Sequence, residues 1–363
     1  MDKTSQETYL RKQTLQLKKV IFIGGVGSPN EYVGGELTKN KNLLASMRKS
    51  GRKVYVVDTH DARRKLWRLL PIPFVLMLHP RTNVVISTNL GNIYWLIKWF
   101  YYSKTKRKVS FIGTGGAFSR WILEGKFDAK YLQYLHKVIV QGQKMKDELE
   151  QAGLTQGYLL PNSKIIEYLP DLTKTRPVSD KTRFVFMSRM QKEKGIEMIL
   201  ECAKRLNKEG YQDRFSVDFY GLFEDISYKE KFLHDLDNVP KASFRGVLNL
   251  RSNEGYDELS AHDVMLFPSY WRGEGFPGIV IDALIAGLPI IISDWNFNAD
   301  YVKEGETGFV IKVKDMEALY QKMLDAIINK EKYESLATVC QSHAKRYDTR
   351  NVISDSFFDE IGA

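Results

Sequence analysis

The chain has 363 residues, of which 43% are hydrophobic, and a net charge of +10. This length exceeds what one hydrophobic core usually supports, so we expect two domains. Cys202 and Cys340 lie far apart without metal-ligand spacing, which predicts free thiols in a reducing compartment and argues against a metal site. Residues 1–16 are polar and lack the apolar core of a signal peptide, so we expect them to form a lead-in.

Residues 17–162 are predicted to form the first α/β domain. Strands are predicted at 19–23, 54–58, 83–88 and 108–112, and a helix of about 15 residues ends at Gly51. The turn after the first strand starts like a dinucleotide fingerprint, but Asn30 stands where the third glycine would be. Because Asp58 ends the second strand, a nicotinamide-binding site is kept as an alternative.

Two further glycine-rich turns occur in this domain. Gly34 and Gly35 are predicted to let the backbone approach a phosphate, with ordinary turn chemistry as the alternative. The fourth strand leads into Thr114 and its neighbouring glycines. His60 and His79 are candidates for acid–base chemistry, but a structural or surface role suits each of them better, so no general base is assigned.

The positive charge is concentrated in the first domain. Residues 41–140 carry 19 Lys or Arg against four acidic residues, a balance of +15, and the rest of the chain is at −5. Segments 63–78 and 93–108 mix Trp, Tyr and aliphatic side chains with cations. Neither reaches the ~20 apolar residues that span a bilayer, so we predict binding to an anionic membrane surface. The alternative is a core helix with a solvated basic edge; nucleic acid is not expected, because no binding motif is present.

The second half of the chain is predicted to begin after a linker. Residues 163–181 are polar and contain two prolines, as expected of a linker. Residues 182–334 are predicted to form the second α/β domain. Residues 335–363 are predicted to form a C-terminal helix, over about 335–358, that crosses back to the first domain.

The first notable segment of the second domain is 184–199. It reads as a buried strand, a turn with Arg189 and Lys194, and an amphipathic helix from Gly195. Both cations follow the carboxyl end of a strand, where open α/β sheets bind ligands, and we expect them to meet a diphosphate. Ordinary solvated cations are the alternative.

The most informative segment is 270–292, which reads as a loop, a helix and a buried strand. Glu274 is predicted to lie on the loop and Asp282 about two turns inside the helix, so that both acids share one side. A carboxylate can accept hydrogen bonds from two hydroxyls of a sugar or ribose, whereas solvated surface acids are the alternative. Backbone N–H groups at the helix N-terminus could bind a diphosphate; they belong to Gly275, Phe276 and Gly278.

An acid, seven residues and a second acid after a glycine-rich turn resemble the donor-binding motif of glycosyltransferase family 4, in which both acids are usually glutamates. Blocks at 184–199, 217–223, 243–248 and 260–269 resemble the same family in the same order. The resemblance implies the GT-B fold, an α/β architecture of two Rossmann-like parallel-sheet domains facing a cleft. It also implies a retaining hexosyltransferase that needs neither a metal nor another cofactor.

The resemblance gives roles to individual residues. Arg189 and Lys194 would stabilise the leaving group, Glu274 would lie near the donor sugar, and Asp282, one methylene shorter than the usual glutamate, near the ribose. The backbone at Val247 would contact the base. Thr114 stands where the family often has a histidine near the acceptor, so that histidine has no counterpart here.

The same resemblance implies substrates and a location. A UDP-sugar is the expected donor for the second domain, and the acceptor for the first is expected to be a polyprenyl-diphosphate-linked saccharide of bacterial capsule or exopolysaccharide synthesis. A cytoplasmic protein held at the inner face of the cell membrane would meet that acceptor. The alternatives are a sugar-nucleotide epimerase with the same fold and a non-catalytic partner of another transferase.

Overall fold

A computed structural model describes residues 18–28, 35–62 and 64–363. The chain divides into two compact units. The first comprises Met1–Leu160 and Val352–Ala363, and the second comprises Pro161–Asn351. Gly34 lies outside the described residues, and Gly35 opens a helix.

The first unit contains a six-stranded parallel sheet, with the described strands in the order β2-β1-β3-β4-β5-β6. Strand β1, for example, is apolar and almost wholly buried, as expected where helices cover both faces of a parallel sheet. The predicted strands are present, within about two residues at their ends. The strands are β1 Lys19–Gly24, β2 Lys53–Asp58, β3 Asn83–Thr88, β4 Val109–Gly113, β5 Lys137–Val140 and β6 Gly157–Leu159.

Helices connect these strands. A 3-10 turn at Leu66–Leu69 precedes the second helix. The α-helices of the unit are Gly35–Lys49, Pro71–Leu78, Leu90–Ser103, Phe118–Leu123, Ala129–Leu132, Gln143–Gln151 and Asp355–Glu360. No helix in the described part of the chain is long and apolar enough to cross a membrane.

One side of the first unit exposes many apolar side chains. Helix Pro71–Leu78 buries only Ile72 and Leu76, whereas Phe74, Met77 and Leu78 are 66%, 76% and 75% exposed, so it is not a core helix. It joins β2 to β3, and helix Leu90–Ser103 joins β3 to β4; two right-handed crossovers in one direction place both helices on one side of the sheet. We call the exposed side chains on these two connections the apolar face: Leu66, Trp67, Leu70, Phe74, Met77, Leu78, Trp95, Trp99 and Tyr102.

The second unit contains another six-stranded parallel sheet, in the order β12-β11-β10-β7-β8-β9. The connections run one way from β7 and the other way from β10, so the sheet has a switch point between β7 and β10. Ligands bind at the carboxyl ends of the strands at such a point. The strands are β7 Thr182–Met187, β8 Phe215–Tyr220, β9 Ala242–Gly246, β10 Val264–Phe267, β11 Ile290–Ser293 and β12 Gly308–Ile311.

Helices also connect the strands of this sheet, and short 3-10 turns lie at Lys192–Lys194, Asn298–Tyr301 and Lys345–Tyr347. The α-helices between Pro161 and Val352 are Leu172–Thr175, Ile196–Lys208, Ile226–Asp237, Asn253–Ser260, Gly278–Ile285, Met316–Ile328, Lys330–Ser335, Ala337–Ala344 and Thr349–Val352.

The segment 163–181, predicted to be a linker, belongs to the second unit. It contains the helix Leu172–Thr175. Tyr168 donates a hydrogen bond to Asp257 at 2.5 Å, and Arg176 donates to the carbonyl of Gly287 at 2.6 Å. The segment is therefore anchored along its length, which its polar composition did not indicate.

The prediction of one C-terminal helix over 335–358 is wrong. The region contains several short helices, interrupted where Asp348 pairs with Lys164 in an isolated β-bridge and accepts a hydrogen bond from the Arg350 N–H at 2.9 Å. An aspartate that bonds the backbone two residues on favours a turn over a continuing helix.

The residues after Asn351 belong to the first unit. There Phe357 and Phe358 are buried in the core beside Val20 and Phe22. Arg52 joins this segment to the sheet through ion pairs with Asp355 and Asp359 at 2.6 and 2.8 Å. These contacts explain why the end of the chain packs with the first unit.

Candidate functional site

The loop at 270–277 and the helix Gly278–Ile285 follow β10, at the switch point of the second sheet. Pro277 caps the helix in an extended conformation, and the helix begins at Gly278. Gly287, at φ +71°, ends the helix before β11. The loop, helix and strand therefore occur in the predicted order.

Glu274 and Lys194 form an ion pair at this switch point. Each residue is 5% exposed, and Ser269 Oγ donates to the same carboxylate oxygen at 3.4 Å. The turn that carries Lys194 follows β7 and approaches the loop closely: a Cβ on Gly195 would lie 2.4 Å from the carbonyl oxygen of Pro268. Two residues predicted from separate motifs thus meet at one point.

Burial has the largest effect on the pKa of Lys194. It lowers the pKa of the ammonium below its usual value, and the charge of Glu274 only partly offsets this. Arg189 lowers the pKa of Lys194 further, as a nearby like charge does. A ligand carrying negative charge would stabilise both cations.

Arg189 is more exposed than Lys194, with 45% of its side chain accessible. Its guanidinium lies 5.5 Å from the Trp271 ring centroid and 3.3 Å from a Glu224 carboxylate oxygen. Trp271 lies on the same loop as Glu274, so the structure brings Arg189 to this loop as well.

Asp282 lies about one turn inside the helix, not two, because the helix begins at Gly278. It is buried, and its Oδ1 pairs with the Lys164 ammonium and accepts a hydrogen bond from Tyr256 at 2.8 Å. No described residue donates a hydrogen bond to Oδ2, which leaves this oxygen for another donor. Burial, followed by the charge of Asp282, raises the pKa of Tyr256 above its usual value.

Sequence reasoning missed Lys164 and Tyr256. They come from the predicted linker and from helix Asn253–Ser260, 118 and 26 residues from Asp282. No local pattern in the sequence links either residue to the acid.

The loop also carries the predicted backbone donors. Among the described residues, no acceptor is bonded to the N–H groups of Gly275, Phe276 and Gly278. The Phe276 ring holds the loop by stacking on Tyr301, with ring centroids 3.7 Å apart. These N–H groups are therefore available to an anion.

The remaining predicted position of this unit is Val247, which is 55% exposed. It follows Gly246, whose φ is +80° and whose Cα faces open space. The backbone after β9 is thus accessible, but no side chain here identifies a ligand.

In the first unit, polar groups gather at the carboxyl ends of β1 and β4. Thr114 donates a hydrogen bond to Glu36 at 3.1 Å, and the Lys39 ammonium lies 3.4 Å from the carbonyl oxygen of Gly113. Burial lowers the pKa of Lys39 to about 8, against the opposing charge of Glu36. Sequence reasoning assigned no role to Glu36 or Lys39.

The other candidates in the first unit have structural contacts. Asp58 accepts hydrogen bonds from the N–H groups of Val26 and His60 and pairs with Arg68. Burial alone would raise the pKa of Asp58, but these donors hold it below its usual value. His79 stacks on Tyr55, with ring centroids 3.9 Å apart.

Cys202 and Cys340 are both free and buried. Within the described ranges, no group of three or more His, Cys, Asp or Glu side chains is placed to hold a metal ion.

Comparison with known proteins finds similarity in part of the chain to a described family. Residues 171–340 match the sequence model of the family "Glycosyl transferases group 1". The capsular polysaccharide biosynthesis glycosyltransferase CapM of Staphylococcus aureus is 23% identical over 59% of this chain and 54% of its own length. The Escherichia coli UDP-Gal:alpha-D-GlcNAc-diphosphoundecaprenol alpha-1,3-galactosyltransferase is 35% identical over 26% of this chain and 27% of its own length. The chain thus spans about half or less of these two relatives.

Solved structures match over nearly the whole chain. The lipopolysaccharide outer core galactosyltransferase WaaB is 15% identical, with a TM-score of 0.71 over 94% of this chain and 99% of its own. Anabaena HepE in complex with UDP is 13% identical, with a TM-score of 0.68 over 92% of this chain and 97% of its own. At these identities the likeness concerns the fold. The chain has the GT-B fold, and its residues 171–340 are similar to the glycosyl transferases group 1 family.

Proposed function

We propose that this protein is a family 4 type, retaining hexosyltransferase that moves a sugar from a UDP-sugar to a polyprenyl-diphosphate-linked saccharide in bacterial cell-surface polysaccharide synthesis. One observation carries the proposal. Glu274 and Asp282 lie at the switch point of the second sheet, each paired with a lysine, beside backbone N–H groups that have no acceptor among the described residues.

The roles follow from charge and hydrogen bonding. Lys194, Arg189 and the N–H groups of the loop would take the negative charge that develops on UDP as the bond between sugar and phosphate breaks. Glu274 would accept hydrogen bonds from the donor sugar, and Oδ2 of Asp282 from the ribose. With two cations placed for the diphosphate, we expect no metal to be needed. The backbone at Val247 would meet the base, and Gly34 and Gly35 would let the first unit's backbone approach a phosphate.

The names of similar proteins support the choice of donor and acceptor. HepE has been solved with UDP and with UDP-glucose, and the E. coli relative is named for a sugar carried on diphosphoundecaprenol. CapM is named for capsular polysaccharide biosynthesis. A membrane-bound diphosphate acceptor fits an enzyme that works at a membrane surface.

The first unit supports a place at the inner face of the cell membrane. The apolar face lies within the stretch whose charge balance is +15. Near its edge, the Arg107 guanidinium donates to the carbonyl of Leu76 at 3.2 Å, so basic and apolar groups are adjacent. Apolar and aromatic side chains beside cations suit an anionic lipid surface.

A panel of UDP-, GDP- and ADP-sugars tests the proposal. We expect the protein to release UDP slowly from one UDP-sugar, and faster when vesicles carry a polyprenyl-diphosphate-linked saccharide. Glu274→Gln should fall to background, whereas Glu331→Gln, at an exposed acid of the same unit, should match the wild type. Conversion to an isomeric nucleotide sugar would identify an epimerase instead. No turnover of any donor would favour the non-catalytic partner and overturn the proposal.

A further inference from the structure

The chain passes between its two units after Leu160 and after Asn351. Within the second unit, the segments beside these two points pair with each other. The N–H of Lys164 donates to the carbonyl of Tyr347 at 3.0 Å, and the N–H of Thr349 donates to the carbonyl of Lys164 at 2.8 Å. We call residues 162–164 and 347–349 the paired connectors.

The paired connectors contact the loop and helix that carry the candidate donor site. Asn162 donates a hydrogen bond to the carbonyl of Phe276 at 3.2 Å. The Phe276 ring packs edge-on against Tyr347, with centroids 5.2 Å apart and planes at 82°. The third link is the ion pair between Lys164 and Asp282.

Lys164 takes part in both the bridge between the paired connectors and the ion pair with Asp282. Its backbone makes both hydrogen bonds of the bridge, and its ammonium neutralises a carboxylate that is only 6% exposed. A buried carboxylate that loses its cation is strongly destabilised, so Asp282 holds the Lys164 side chain in place. The position of the connectors and the charge of the acid are thus linked through one residue.

We propose that Lys164 is a positioning residue that couples nucleotide binding at Asp282 to the pairing of the two connectors. The proposal rests on the proposed function, because the coupled ligand is the ribose of the nucleotide. Tyr256 and Lys164 both reach Oδ1, so a ribose hydroxyl can donate to Oδ2 without displacing either. Binding would then tighten the network that includes the bridge.

Thermodynamic linkage makes the coupling reciprocal. If the nucleotide stabilises the paired connectors by some factor, loss of that pairing must weaken nucleotide binding by the same factor. Replacing a residue that only filled space near Asp282 would change neither quantity. The two quantities can be measured independently.

The ligand-free protein gives the first test, by hydrogen exchange of peptides that contain the N–H groups of Lys164 and Thr349. Lys164→Met keeps the aliphatic stem and removes the charge, and Asp282→Asn removes the other charge. Each should speed exchange about fivefold, and the double variant should be no faster than either single one. Lys174→Met, which removes the exposed ion pair with Asp171, is the matched control and should leave these peptides unchanged. An unchanged exchange rate at the paired connectors in Lys164→Met would overturn the proposal. So would an exchange rate in the double variant that is the product of the two single effects.

Saturating UDP gives the second test. In the wild type it should slow exchange at the connectors and at the loop that carries Gly275. In Lys164→Met, UDP should slow exchange at the loop but no longer at the paired connectors. The affinity for UDP should fall by the same factor by which UDP slows exchange at the connectors in the wild type. If UDP protects the connectors equally in both proteins, the coupling does not run through Lys164. If UDP binds neither protein, the assignment of a UDP donor fails, while the ligand-free test still decides the coupling.

Discussion

Each unit has a six-stranded parallel sheet, but the groups at the carboxyl edges of the two sheets differ. The second sheet places two lysine–carboxylate pairs at its switch point. The first sheet places Thr114, Glu36 and Lys39 near the ends of β1 and β4, and the Arg68–Asp58 ion pair at the end of β2. The fold determines where ligands can bind, whereas the side chains at that edge determine which chemistry is available.

The two units also differ in the exposure of apolar side chains on their helices. The first unit exposes the apolar face, which includes three side chains of helix Pro71–Leu78. In the second unit, helix Ile196–Lys208, which joins β7 to β8, buries its apolar side chains, among them Ile199 and Leu206, in the core. We interpret the first unit as the membrane-binding half and the second as the donor-binding half. The following experiments test this division of roles.

The largest expected effect concerns the apolar face. Replacing Phe74, Met77 and Leu78 with Ser removes three exposed apolar side chains, each worth about 1.5 kcal/mol or more when buried in lipid. Binding to anionic vesicles should fall by roughly a thousandfold or more in a flotation assay, while release of UDP from a soluble donor stays at the wild-type level. A matched change in the second unit, Ile226→Ser at an exposed position, should not alter flotation. Equal flotation of the triple variant would contradict a membrane role for this face.

The second prediction concerns the cations that would face the diphosphate. Lys194→Ala and Arg189→Ala should each lower kcat by on the order of 100-fold or more, because leaving-group charge develops in the transition state. Lys192→Ala, at an exposed lysine in the same 3-10 turn, should have little effect. Lys194→Ala also leaves Glu274 as an unpaired buried acid, so a thermal melt must show that the variant is folded. Full activity in either variant would remove its proposed role.

The sequence predicted the sheets and the loop with Glu274, because each depends on local periodicity or on the order of strands. It did not predict that this loop contacts Lys194. It did not predict Lys164 or Tyr256, since their contacts with Asp282 arise from chain packing over long separations. It also failed on the C-terminal segment, where a β-bridge to Lys164 interrupts a helical pattern. Tertiary partners of that kind leave no periodic signal.

A third prediction tests Asp282 as the ribose-binding acid. Asp282→Ala should weaken UDP binding by about 1.5 to 3 kcal/mol, the usual value of a hydrogen bond to a charged group. Asp282→Glu keeps a carboxylate and should retain binding. Calorimetry on both variants checks this, and normal UDP affinity in Asp282→Ala would show that the acid serves only Lys164 and Tyr256.

The smallest effect is expected at Lys39 in the first unit. Its pKa is about 8 in the folded chain and near 10.5 when unfolded, so the unfolded state binds more protons between these values. The free energy of unfolding should therefore rise as the pH increases from about 8 to about 10.5, because Lys39 is then neutral in the folded chain but still charged in the unfolded one. The side chain is partly exposed, so solvent screening reduces the effect to about 1 kcal/mol. Lys39→Met should be more stable than the wild type at pH 7 and should lack this rise. Urea unfolding at pH 7 and pH 10 measures both, and a parallel pH dependence in the two proteins would show that the Lys39 ammonium is well solvated.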